Sequence, residues 1–198
     1  MARRDPRGSR WSAIILRDSL RESGSGKRVL MSPRKPAKGA QVTTAELLTR
    51  LASRTGHVGV VGLGYVGLPL ALTFARMGFQ VTGFDIDAHK VEKLQRRESY
   101  IRHIPASAIA QAVEKWHFQA TSDFKQLRGM DVILICVPTP RNEHREPDMS
   151  FVRNTAESIR ATLRRGQLVV LESTTYPGTT EEIILPILEK SGLRCPAL

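Results

Sequence analysis

Three glycines with the spacing G-x-G-x-x-G, at Gly62, Gly64 and Gly67, constrain the fold of this chain more than any other feature. The apolar run 57–61 before them has the composition of a buried strand, and residues 68–77 after them have helical periodicity. At such a turn the first glycine permits the tight bend, the second lets the backbone approach a pyrophosphate, and the third lets the helix pack on the strand. The helix N-terminus also attracts anions through its unpaired N–H groups. The spacing therefore predicts a turn that binds the phosphates of a dinucleotide.

Strand-like and helix-like segments alternate along the rest of the chain. Strands are predicted at residues 57–61, 80–84, 118–120, 131–137 and 168–171, and helices at 68–77, 88–97, 106–115, 150–164 and 179–190. A short amphipathic helix precedes them, because Thr43 and Glu46 have capping-box spacing and leucines follow at helical spacing. This order indicates an α/β fold of the Rossmann type, a doubly wound parallel sheet with helices on both faces. The chain ends where a sixth strand would begin, so we expect the sheet to be truncated before that strand.

Length and composition favour one domain. With 198 residues, of which 41% are hydrophobic, the chain can bury one core and is too short for two full-sized ones. No apolar run approaches the roughly 18 residues of a membrane span. The longest early run, at 13–16, is shorter than the about seven residues of a signal-peptide core. We therefore expect a cytoplasmic protein that does not enter the membrane.

The net charge of +11 comes mainly from the N-terminus. Residues 1–40 contain eleven basic and three acidic side chains and few large apolar ones, so we expect a disordered basic tail there, followed by the leading helix at 41–56. A basic tail can bind nucleic acid by counterion release, but aromatic residues do not interleave with the basic ones here. Specific nucleic-acid binding is the least favoured hypothesis. Met31 is a second candidate for the start, because the residues after it resemble an ordinary bacterial N-terminus.

Asp85 ends the second predicted strand, 23 residues after Gly62. A carboxylate at about this spacing accepts hydrogen bonds from the adenosine ribose of a dinucleotide. Alternatively, Asp85 caps the helix that follows, although Asp87 could do so instead. A carboxylate here repels a 2′-phosphate, which favours NAD over NADP. Lys90 could reach a phosphate, but a solvated helix face is the commoner place for a lysine.

The segments after the fourth and fifth predicted strands are further candidates, because open α/β sheets bind ligands beyond the carboxyl ends of their strands. The fourth strand runs into the loop 138–140, where two prolines stiffen the backbone and Thr139 offers a hydroxyl. The fifth opens onto residues 172–180, whose hydroxyl groups could bind a sugar, a nicotinamide ribose or a catalytic water. Thr179 or Thr180 could also cap the last helix.

These three glycine, proline and hydroxyl motifs together are far more specific than the glycine turn alone. They read Gly62-Leu63-Gly64-Tyr65-Val66-Gly67-Leu68-Pro69, Cys136-Val137-Pro138-Thr139-Pro140 and Glu172-Ser173-Thr174-Thr175-Tyr176-Pro177-Gly178-Thr179-Thr180. In this order they resemble the UDP-glucose/GDP-mannose dehydrogenase family, and segments 99–105 and 145–150 resemble its UDP-N-acetylglucosamine 6-dehydrogenases. The resemblance covers about residues 43–193. We place the NAD-binding Rossmann domain at 57–194 and a non-matching tail at 195–198.

The resemblance implies that a UDP-sugar is oxidised at a primary alcohol to the carboxylate by two NAD, with the aldehyde held on a cysteine between the two steps. The cofactor-binding residues that it implies are Gly62, Gly64, Tyr65, Val66, Gly67, Asp85, Lys90, Val137, Pro138, Thr139, Pro140 and Thr174. Thr175 matches a threonine that positions a water near the reacting carbon. No metal is implied, and the full-length enzyme is expected to be a homo-oligomer.

The family's nucleophilic cysteine has no match in this sequence. In the family it lies in a glycine-rich segment later in the chain, whereas Cys136 falls within a predicted strand and Cys195 lacks flanking glycines. We therefore expect the N-terminal, NAD-binding portion of a nucleotide-sugar 6-dehydrogenase, inactive by itself. A module that only binds NAD is the alternative hypothesis.

Overall fold

A single six-stranded sheet forms the centre of the computed structural model, which describes residues 43–140 and 147–194 and the backbone of Ser12–Ile15. The strands are β1 Ser12–Ile15, β2 His57–Val61, β3 Gln80–Phe84, β4 Phe118–Thr121, β5 Val132–Ile135 and β6 Leu168–Leu171. Across the sheet they lie in the order β1, β6, β5, β2, β3, β4. Strands β2 to β6 are parallel, and β1 is antiparallel to β6. The predicted parallel α/β fold is confirmed.

The helices connect these strands. They are α1 Thr44–Ala52, α2 Gly67–Arg76, α3 Ala88–Gln95, α4 Ala106–Lys115, α5 Ser150–Thr162 and α6 Leu185–Glu189, with a 3-10 helix at Phe124–Gly129 and a π-helix at Thr180–Ile184. α1 begins as predicted, because Thr43 accepts a hydrogen bond from the Glu46 N–H at 3.2 Å. Within the described part of the chain, no helix is long and apolar enough to cross a membrane.

Apolar side chains form a core on each face of the sheet. One core contains Leu47 of α1 and Leu68 of α2, and the other contains Ile159 of α5 and Leu188 of α6. Every residue of β5 is buried, as expected for a parallel strand that is covered on both sides. The helices therefore flank the sheet on both faces, which is the doubly wound arrangement.

Asp131, directly before β5, connects the sheet to two helical segments. Its buried carboxylate lies 3.2 Å from the guanidinium of Arg50 on α1 and 3.0 Å from that of Arg164, which follows α5. It also accepts a hydrogen bond from the His57 N–H at 3.0 Å. These contacts fix the amino ends of β2 and β5, at the opposite end of the strands from the predicted site.

The single helix predicted at 179–190 is instead two pieces, the π-helix and α6. Pro186 is the second residue of α6 and has no N–H to donate to the preceding turn. In the wider π-helical turn before it, the Leu185 N–H donates to the Thr180 carbonyl, five residues earlier.

β1 corrects the expectation that residues 1–40 are wholly disordered. Ser12 pairs with Leu171 and Ile15 with Leu168, so this short apolar run occupies the free edge of β6. The unpaired N–H and C=O groups of a sheet edge favour such pairing wherever another strand can reach them. The rest of 1–42 and residues 195–198 lie outside the described residues.

Candidate functional site

A cavity of about 740 Å³ lies at the carboxyl ends of β2, β3, β5 and β6. The glycine loop, the end of β3, the loops after β5 and β6, and one face of α5 line it. Its size is typical of a small-molecule site, about 300–1,000 Å³. Its position is the one at which open parallel sheets bind their ligands.

The three glycines of the loop have different structural roles. Gly62 has φ +93°, and a Cβ on it would lie 2.6 Å from the Cys136 carbonyl oxygen. A Cβ on Gly67 would collide with the Gly62 carbonyl oxygen. Among the residues that the structure describes, a Cβ on Gly64 would meet no atom within 4 Å apart from its chain neighbours, although Gly64 lines the cavity. The fold therefore requires glycine at positions 62 and 67, whereas the open space at Gly64 leaves room for a ligand.

The carboxylate of Asp85 is buried against this loop. It accepts hydrogen bonds from the Leu63 N–H at 2.9 Å and the Asp87 N–H at 3.0 Å, and the Lys90 ammonium lies 3.4 Å away. Asp87 caps α3, because its side chain accepts from the N–H groups of His89 and Lys90. The capping alternative for Asp85 is therefore wrong. Lys90 pairs with Asp85 at the cavity instead of lying on a wholly solvated face.

The loops after β5 and β6 are tied together through their hydroxyl groups. Thr139 donates to the Thr174 carbonyl at 2.7 Å, and Ser173 donates to the Val137 carbonyl at 2.7 Å. Both protons thus go to protein carbonyls. The hydroxyl oxygens can still accept a hydrogen bond from a ligand.

The alternative that Thr179 or Thr180 caps the last helix through its side chain is wrong. Thr179 occupies the N-cap position of the π-helix, but its hydroxyl donates to the Tyr176 carbonyl at 2.7 Å, and no side chain caps this helix. Thr180 is the first residue of the helix and is buried.

Cys136 follows β5 directly, instead of lying within a strand as predicted, and it is buried. Burial, followed by the negative charge of Glu172, raises the pKa of its thiol to about 12. Burial also raises the pKa of Glu172. Because the thiolate is the reactive form, Cys136 is not a nucleophile near neutral pH. Cys195 lies outside the described residues. In 43–140 and 147–194, no group of three or more His, Cys, Asp or Glu side chains could hold a metal ion.

Residues 56–195 match the family model "UDP-glucose/GDP-mannose dehydrogenase family, NAD binding domain". The chain belongs to this family. The resemblance drawn from the three motifs is confirmed, and NAD is the cofactor of this domain.

Members of this family with curated names are similar over the same region. UDP-N-acetyl-D-glucosamine 6-dehydrogenase of Pseudomonas aeruginosa is 41% identical over 138 residues, which cover 69% of this chain and 32% of the relative. UDP-N-acetyl-D-mannosamine dehydrogenase of Escherichia coli is 42% identical over 127 residues, 64% of this chain and 30% of the relative. The chain thus spans about a third of the length of these relatives.

Solved structures of the UDP-glucose/GDP-mannose dehydrogenase family have the same fold. UDP-D-ManNAc dehydrogenase of Pyrococcus horikoshii superimposes with a TM-score of 0.66 at 34% identity, over 70% of this chain and 33% of that one. For the GDP-mannose dehydrogenase of Pseudomonas aeruginosa, solved as a ternary complex, the TM-score is 0.64 at 27% identity, over 68% of this chain and 32% of that one.

Most of the cofactor-binding residues that the family resemblance implies lie together around the cavity. Those that line it are Gly62, Gly64, Tyr65, Val66, Asp85, Lys90, Val137, Pro138, Thr139 and Thr174. Gly67, Pro140 and Thr175 are not among the lining residues. Gly67 acts through packing against Gly62, and the water-positioning role of Thr175 stays a prediction.

Sequence reasoning missed one wall of the cavity. The lining residues that it did not single out include Ile86, Phe124, Phe151, Asn154, Thr155 and Ser158. Phe151, Asn154, Thr155 and Ser158 recur at helical spacing on α5, so they form one face of that helix. That spacing was visible in the sequence, but only the crossover from β5 to α5 shows that this face lies over the cavity.

Proposed function

We propose that this cavity binds NAD with its pyrophosphate at Gly64 and its adenosine ribose at Asp85. The observation that carries this assignment is the open space at Gly64, between two glycines that the fold requires. A ligand backbone can approach Gly64 closely because no side chain intervenes. No side chain caps α2 either, so its N-terminus suits a phosphate.

The roles of the other lining residues in binding NAD are assigned from their positions relative to Gly64 and Asp85. Tyr65 and Val66 follow Gly64 on the same turn, and Lys90 adds a positive charge beside Asp85. Val137, Pro138, Thr139 and Thr174 form the opposite side, where the nicotinamide half would lie. When bound, NAD supplies a hydride acceptor. The protein supplies a cavity whose lining is largely apolar.

A matched pair of glycine variants tests the proposal. Gly64→Ala adds a methyl group in open space, so the melting temperature should stay within the error of the wild type while the Kd for NAD rises about tenfold or more. Gly67→Ala adds the same methyl group against the Gly62 carbonyl, so it should lower the melting temperature instead. Calorimetric titration and thermal unfolding measure the two effects. Unchanged NAD affinity in Gly64→Ala would refute the assignment.

Asp85 offers a second test, because its carboxylate should accept from the ribose and repel a 2′-phosphate. We expect the wild-type chain to bind NAD more tightly than NADP. Asp85→Asn removes the negative charge and leaves Lys90 without its partner, so the ratio of the Kd for NADP to the Kd for NAD should fall. An unchanged ratio would contradict the assignment of Asp85.

We also propose that the whole protein oxidises a UDP-N-acetylhexosamine at its sixth carbon, with UDP-N-acetylglucosamine as the first candidate. The names of the relatives at 41% and 42% identity support this class of substrate. The buried, protonated Cys136 supports the further proposal that residues 1–198 alone bind NAD without turning over. Incubation with NAD and UDP-N-acetylglucosamine should then give no NADH absorbance, and measurable NADH formation would overturn this proposal. A cytoplasmic location and a homo-oligomeric full-length enzyme stay predictions.

A further inference from the structure

Leu63, between the first two glycines of the loop, is fixed by contacts from three directions. Its side chain is fully buried and lies so close to Gly83 that a Cβ there would be 2.6 Å from Leu63 Cδ2. Its N–H donates to Asp85 at 2.9 Å. Its carbonyl oxygen accepts a hydrogen bond from the Tyr100 hydroxyl at 2.6 Å. Leu63, which leads into Gly64, is therefore held through both its backbone N–H and its backbone carbonyl.

Tyr100 is well suited to hold this carbonyl. Its ring packs against the core beneath α2 and α4, so the hydroxyl is positioned by a partly buried side chain. Burial, and then the negative charges of Asp85 and Asp87, raises the pKa of Tyr100 well above its ordinary value. The phenol therefore keeps the proton that it donates to Leu63. Ile101 and Ile104, which are buried, anchor the segment on either side of the exposed Arg102 and His103.

The same segment also contacts the residue on the other side of Gly64. The ring of His103 stacks on Tyr65, with ring centroids 6.2 Å apart and an interplanar angle of 27°. Tyr65 is 74% exposed, so this stack is a contact on the surface of the loop. Residues 99–105 thus hold Leu63 through Tyr100 and Tyr65 through His103, while Gly64 between them faces open space.

We infer that Tyr100, assisted by His103, is a positioning residue for cofactor binding, because Tyr100 holds Leu63 and His103 holds Tyr65, the two residues that flank Gly64. This inference rests on the proposed binding of NAD at Gly64. Tyr100 acts on the cofactor through the Leu63 peptide, and it is not among the lining residues of the cavity. A turn that is already ordered loses less conformational entropy when the pyrophosphate binds.

Tyr100→Phe tests the inference by removing the hydroxyl and keeping the ring. Loss of one neutral hydrogen bond predicts a rise of about three- to tenfold in the Kd for NAD. The amide hydrogens of residues 63–66 should also exchange faster without ligand, while those in the middle of α2 should not. His103→Ala should weaken NAD binding by a smaller factor, since the stack is exposed.

Thr73→Val is the matched control, because Thr73 donates a 2.8 Å hydroxyl bond to the Pro69 carbonyl on α2, away from the cavity. It should leave both the Kd and the exchange of residues 63–66 unchanged. The inference is overturned if Tyr100→Phe binds NAD like the wild type, or if only its melting temperature changes. Failure of the wild-type chain to bind NAD would instead refute the proposed function.

Discussion

The hydroxyl of Thr139, on the loop after β5, donates a 2.7 Å hydrogen bond to the carbonyl of Thr174, on the loop after β6. β5 and β6 are parallel neighbours, with Ile135 opposite Leu171, so the two loops leave the sheet side by side. This bond joins two walls of the cavity. Both loops were predicted as candidate sites, but the bond joins two residues 35 positions apart and depends on β5 and β6 being neighbours in the sheet.

Thr139→Val should loosen this connection while keeping the shape of the side chain. The Thr174 carbonyl loses its partner, so we expect the Kd for NAD to rise about three- to tenfold and the free energy of unfolding to fall by about 1 kcal/mol. Calorimetric titration and urea unfolding measure the two effects. Thr139→Ser keeps the hydroxyl and should restore most of the affinity. Equal loss in both variants would contradict the role of the hydrogen bond, because Thr139→Ser keeps the hydroxyl that makes it.

The turn at Gly62 and Gly67 could be predicted because its constraints are local. Gly62 and Gly67 are dictated by a positive φ and by a contact within the loop, and both act over a few residues. The sequence alone does not show which of Asp85 and Asp87 caps α3, because both lie shortly before that helix and either spacing suits a cap. The structure assigns the cap to Asp87, whose side chain accepts from the first amides of α3, while ribose binding by Asp85 stays a prediction.

Other features depend on how distant segments pack, and the sequence did not indicate them. The cavity wall on α5 is defined by which face of the helix lies over the cavity, and that follows from the crossover. β1 is a four-residue run inside a basic tail, and only the free edge of β6 gives it a partner. Tyr100 belonged to a family motif, but its bond to the Leu63 carbonyl spans 37 positions.

Removal of the Asp131 carboxylate should destabilise the domain. Asp131→Asn leaves Arg50 and Arg164 without their shared negative partner, and breaking a buried ion pair in this way costs about 3 kcal/mol. Urea unfolding measures this loss. Glu114→Gln is the control, because it breaks the exposed pair with Arg97 and should change stability by less than about 1 kcal/mol. Similar losses in both variants would contradict the structural role of Asp131.

Cys136 should react slowly with thiol reagents in the folded chain. With a pKa of about 12, only about a thousandth of the thiol is ionised at about pH 9, where an ordinary cysteine is largely thiolate. Labelling of a Cys195→Ser variant with iodoacetamide isolates this thiol, and unfolding in urea should accelerate the reaction strongly. In that background Glu172→Gln removes a charge that raises the pKa, so labelling at alkaline pH should become faster. Fast labelling of the folded Cys195→Ser variant would contradict the burial of Cys136.

Removal of β1 should expose the edge of β6. Without Ser12–Ile15, the outward N–H and C=O groups of Leu168–Leu171 lose their partners, and such an edge is a template for pairing with another chain. We therefore expect a variant that begins at Met31 to self-associate as its concentration rises, while the 198-residue chain does so less. Light scattering after gel filtration measures the mass of each.

Proline substitutions within β1 provide the matched control for this deletion. Successive N–H groups of a strand point to opposite sides, so of Ala13 and Ile14 only one can donate its N–H toward β6. Proline removes that donor, and a proline is tolerated in an edge strand only where the N–H faces solvent. One of Ala13→Pro and Ile14→Pro should therefore self-associate like the shortened chain, and the other should resemble the wild type. The Met31 variant could instead stay the same size as the wild-type chain at every concentration. That result would mean that water satisfies the exposed groups of β6, and that β1 does not protect this edge from self-association.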